Sequence, residues 1–104
     1  MDKTQVQARI DEGLSEVPVA LRDALRTRLV TPYVEERACH DQKWERVWIV
    51  AVLREENICF GYAESGYEDT GRCWGLLFLD GLSIGDYGAW YDDLPALVDD
   101  CGYF

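Results

Sequence analysis

Apolar positions in the first thirty residues recur at the three-to-four spacing of a helix, and after about residue 33 they change to strand-like runs. Val6, Ile10 and Leu14 share one helical face, with Gly13 expected to weaken or end that segment. Ser15 stands where a second helix would be capped, with Pro18 tolerated in its first turn. Val17, Leu21, Ala24, Leu25 and Leu29 form its apolar stripe, while Arg22 and Arg26 lie on another face. Thr31-Pro32 then stops the helix.

Tyr33–Cys39 reads as a polar strand suited to a sheet edge. Arg46–Leu53 (RVWIVAVL) is apolar on both alternating faces, as a central strand covered on both sides requires. Arg54–Asn57 connects it to Ile58–Ala63 in an antiparallel hairpin, and Cys73–Leu79 supplies a fourth strand. Glycines set off two loops, Ser65–Arg72 and Asp80–Gly88. Asp92 or Asp93 caps a short final helix with Pro95 in its first turn, and Leu94, Leu97, Val98 and Cys101 face inward. The predicted fold is one α+β domain over residues 1–104: two N-terminal helices, a four-stranded antiparallel meander and a short C-terminal helix.

Charge separates the two halves. Residues 1–54 hold nine acidic and nine basic side chains, whereas residues 55–104 hold eleven acidic residues and only Arg72, which accounts for the net charge of −10. A field of one sign repels nucleic acid and anionic membranes and steers cationic partners in. The N-terminal sequence has no apolar core of the secretory kind, and no apolar run is long enough for a membrane span. Cys39, Cys59, Cys73 and Cys101 lack CxxC spacing and are expected to stay reduced in a cytoplasmic protein.

Catalytic and metal motifs do not assemble. Cys39 and His40 are adjacent, and on an extended chain adjacent side chains diverge, so a surface histidine is the expectation. Cys39, His40, Cys59 and Cys73 lack the paired spacing of a zinc site, and no spaced calcium-ligand set occurs. No metal and no cofactor are expected. An enzyme using Glu64 or Glu68 with His40 is the weakest reading.

What remains is carboxylates interleaved with aromatics. Glu64, Tyr67, Glu68 and Asp69 form one cluster; Asp86, Tyr87, Asp92 and Asp93 form another, beside Trp90 and Tyr91. Tyrosine and tryptophan are enriched at interface hot spots, and surrounding carboxylates speed capture of a basic partner. Trp48, Trp74 and Trp90 are expected in the core, leaving Tyr67 and Tyr87 as candidates for an exposed patch.

The stretch WIVAVL, CFGYAESGYED, CWGLLFL and GAWYDDL, spanning about residues 44–94, resembles the small acidic immunity proteins encoded beside bacterial polymorphic and contact-dependent toxins. That resemblance implies a cytoplasmic antitoxin that blocks one cognate toxin. A basic nuclease would fit, its cationic groove filled by carboxylates in place of phosphates. The alternative is an acidic regulatory or structural binding module, open to homodimer formation, whose partner is not a toxin.

Overall fold

In the computed structural model, which describes residues 1–104, helices α1 (Lys3–Glu16) and α2 (Val19–Arg26) lead into five strands and a last helix. The strands are β1 (Leu29–Ala38), β2 (Trp44–Leu53), β3 (Ile58–Tyr62), β4 (Trp74–Phe78) and β5 (Trp90–Tyr91), followed by α3 (Leu94–Cys101). Each strand pairs antiparallel with the next, in the order β1-β2-β3-β4-β5. The fold is therefore α+β with an antiparallel meander, but the sheet has five strands and not four. The fifth is two residues long, too short to leave a period in the sequence.

Local boundaries differ from expectation for identifiable reasons. Asp2 caps α1 through a reciprocal capping box with Gln5, and the helix runs through Gly13 to Glu16. Gly13 does not end it: a Cβ there would lie 3.0 Å from Leu94, so the glycine lets α1 approach α3 closely. Ser15 is no cap, because its hydroxyl donates back to the Glu12 carbonyl at 2.6 Å inside α1. Pro18 is the N-cap of α2. Leu29 opens β1 and is not part of the α2 stripe, and Pro32 lies within that strand. An edge strand tolerates the missing donor, and the register is irregular between Leu29 and Tyr33.

Both faces of the sheet are buried. Against one pack Val6, Ile10 and Leu14 of α1, Leu25 of α2, and Leu94, Leu97 and Val98 of α3, meeting Trp48, Val50, Phe60, Tyr62 and Trp74. In β2, Ile49 stands opposite Gly61 and Ala51 opposite Phe60, so Val50 is an extra residue. This bulge turns both Val50 and Ala51 toward the helices and restores Val52 to the other side. On that other side no helix covers Val47, Ile49, Val52, Cys59 and Leu77. The two glycine-bracketed loops cover them, through Tyr67, Ile84 and Trp90.

A buried cation fastens the second of these loops. Arg37 of β1 is 1% exposed; its guanidinium lies 2.8 Å from the Glu35 carboxylate and donates to the carbonyls of Phe78 (2.8 Å) and Ser83 (3.2 Å). Beside it, Ala38 donates to Leu82 and accepts from Ile84, tying the loop to the end of β1. No helix is long and apolar enough to cross a membrane.

Removing the guanidinium costs the Phe78 and Ser83 carbonyls a donor and the Glu35 carboxylate its ion pair, leaving only the Gly81 amide on Phe78. Arg37→Leu is expected to cost about 3 kcal/mol or more in urea denaturation. Arg37→Lys is expected to recover only part, since an ammonium lacks the planar fork that reaches both carbonyls and the carboxylate.

Candidate partner-binding face

The first loop is a tight β3–β4 connection. Ala63 donates to Cys73, and Tyr67 to Arg72, carrying the hairpin past the strand ends. Gly66 adopts φ +77, where an added Cβ would fall 2.6 Å from the Arg72 nitrogen, so only glycine fits this turn. Glu68 and Asp69 follow with φ of 45 and 61, both in the left-handed region that side chains other than Asn, Asp and Gly avoid. That backbone turns two consecutive exposed carboxylates outward and Tyr67 inward.

Tyr67 is thus buried, 5% exposed, against the expectation that it would be a surface residue. Its ring lies edge-on to Tyr87 at 6.2 Å and beside Trp90 at 6.3 Å, joining the first loop to the second. Burial first, and then the carboxylates of Glu68 and Asp86, hold its hydroxyl above the ordinary tyrosine range. The two loops therefore meet, with acids from both around one phenol. Tyr87 is 51% exposed at their junction. Arg72, the single cation of the acidic half, stacks on Tyr87 at 4.1 Å and donates to the Trp90 carbonyl at 3.0 Å. Trp48, Trp74 and Trp90 are all buried.

The acidic face extends beyond the residues the half-by-half count pointed to. Glu45 of β2 is pushed upward by partial burial and then by the carboxylates of Asp69 and Glu36. Cys39 lies within the influence of Glu45, Asp41 and Glu68, which, after burial, raise its thiol. Glu36, Asp41 and Glu45 belong to the neutral half; Asp41 is paired with Lys43 at 3.8 Å, whereas Glu36 and Glu45 make no ion pair. The same surroundings disfavour a thiolate, so Cys39 lacks the environment of a nucleophile. His40 is exposed beside it.

Not every predicted residue joins this face. Glu64 lines a small depression with Glu45, Arg46, Trp48 and Ser65, at the margin of the face. Asp92 and Asp93 lie apart, in a groove of about 200 Å³ with Arg9, Glu12 and Glu16 of α1 and Tyr62, Cys73 and Trp74. Asp93 also serves as the N-cap of α3, accepting from the Ala96 amide at 2.9 Å. Sequence proximity to Trp90 suggested one cluster, but β5 turns the chain between Tyr87 and Asp92 from one side of the sheet toward the helices.

No group of His, Cys, Asp and Glu side chains has the geometry to hold a metal ion. The chain matches no family model, no curated protein and no solved structure.

A left-handed glutamate costs of the order of 1 kcal/mol relative to glycine. Glu68→Gly is therefore expected to raise stability by about that amount in urea denaturation; an unchanged or lower midpoint would contradict a strained Glu68.

Proposed function

We propose that this chain is an immunity-type inhibitor, a cytoplasmic protein without catalytic residues that captures a basic bacterial toxin domain and occludes its active site. A nuclease is the toxin class its charge fits best. The observation that carries this reading is the convergence of two separate loops on the Tyr67–Tyr87 contact, with Glu68 and Asp86 near Tyr67 and Asp69 near Glu45. Such a face offers carboxylates where a nuclease holds phosphates, and one half-exposed tyrosine as an anchor. Arg72 is the one cation at this face, stacked on Tyr87 and bonded to the Trp90 carbonyl, and the surrounding carboxylates outnumber it. Strain retained at Glu68 also agrees with a surface kept for binding, since glycine there would be the stable choice.

The test is co-expression with the toxin domain encoded beside this chain, followed by binding kinetics at two salt concentrations. Glu45→Gln, Glu68→Gln, Asp69→Asn and Asp86→Asn together keep the left-handed turn and the Asp86 cap while removing four charges. The association rate is expected to fall at least about tenfold at low salt, with little change in dissociation. Neutralising the same number of charges in the separate groove, by Glu12→Gln, Glu16→Gln, Asp92→Asn and Asp93→Asn, is expected to change it far less. Equal losses from both sets would show that bulk charge matters and the face does not. Undiminished rescue and association in the fourfold variant would reject the face outright.

A further inference from the structure

β5 pairs only with Trp74 and Gly75, so β4 continues through Leu76, Leu77 and Phe78 with no strand beyond it. Sheet edges are normally blunted by proline, charge or irregularity. The opposite edge, β1, has all three: Pro32, the charged run Glu35-Glu36-Arg37 and an irregular register. β4, reading WGLLF, carries no proline or charge of its own, and although the Phe78 carbonyl is taken by Arg37 and the Gly81 amide, no strand covers Leu76. Leu82 (74%) and Phe78 (68%) beside it are the most exposed large apolar side chains of the chain. Two adjoining depressions of about 290 and 250 Å³ run along this edge, sharing Leu76, Leu77, Phe78 and Ala89. Asp86 lines the larger one, whereas Asp80, two residues past the strand, is bonded to the Asn57 side chain.

We infer that the β4 edge receives an extended segment of the basic partner as an added strand. The segment alternates apolar and cationic side chains: apolar ones enter the depression between Leu76, Phe78 and Ala89, and a cationic one meets Asp86. A second copy of this chain is a poor occupant, because it would bring another −10 charges and the same carboxylate to the joint. Asp86 stands on both this edge and the acidic face, so strand addition and charge capture act on one partner. The inference rests on the basic-partner reading above and specifies how that partner is held.

The test uses the full chain and amide chemical-shift mapping with three synthetic heptapeptides. One alternates lysine with valine and isoleucine, one spaces the same lysines with glycine and proline, and one replaces lysine by glutamate. The first is expected to shift Leu76–Leu79, Leu82 and Ala89 and to saturate; Phe78→Ser with Leu82→Ser should weaken it about tenfold or more. Both positions are exposed, so the doubly substituted chain should keep its fold, checked by its unperturbed core resonances. If both lysine peptides shift only residues around Glu68, Asp69 and Asp86, strand docking is wrong and the basic-partner reading survives. If neither lysine peptide binds anywhere, both fail. Binding of the glutamate peptide, or a concentration-dependent dimer abolished by Phe78→Ser, overturns the inference in favour of another occupant.

Discussion

Trp90 seated on Gly75 is the contact on which the loop-covered side of this protein depends. Gly61 and Gly75 stand opposite each other on β3 and β4, and at either position a Cβ would collide, with Val47 in one case and with the Trp90 indole at 2.7 Å in the other. The bare backbone admits the largest fully buried side chain of the chain. Once there, Trp90 serves both loops: its indole donates to the Ile84 carbonyl at 2.7 Å, its own carbonyl accepts from Arg72, and its ring lies beside Tyr67. Without a helix on this side of the sheet, that set of contacts does the covering.

The consequence is an economical division of the sheet. One face is committed to stability, closed by three helices whose apolar stripes meet Trp48, Phe60 and Trp74. The other is closed by loops, the kind of element that can carry strained and charged residues on a rigid support. Arg37 reinforces the arrangement from the far edge, spanning from β1 to the carbonyls of Phe78 and Ser83. Carboxylates at the loop tips then project from a surface anchored at two points.

Much of the architecture was legible in the sequence, because it rests on periodicity. The α1 stripe, the doubly apolar β2 and the hairpin to β3 follow from side-chain spacing alone. The two-residue β5 and the bulge at Val50 did not, since neither spans enough residues to show a period. Nothing in the polar run Tyr33–Cys39 marked Arg37 for burial, because the two carbonyls it bonds lie more than forty residues away. Within the candidate face, Glu68, Asp69, Asp86 and Tyr87 were visible as carboxylates beside aromatics. The burial of Tyr67 was not, because it depends on the left-handed turn from Gly66 through Asp69. Glu45 was missed for an arithmetic reason, because it lies in the half whose charges sum to zero and the count looked past it.

That both loops form one face through Trp90 is tested most directly by amide hydrogen exchange on the wild type and on Trp90→Phe. Phenylalanine keeps an aromatic ring over Gly75 but removes the donor to Ile84 and leaves part of the seat empty. The account predicts that Tyr67 and Thr70 in one loop and Ile84 and Ala89 in the other lose protection together, by about tenfold or more, while the amides of α1 and β2 keep theirs. Loss confined to the Ile84 loop, with Tyr67 and Thr70 unchanged, would contradict it and leave two independent loops.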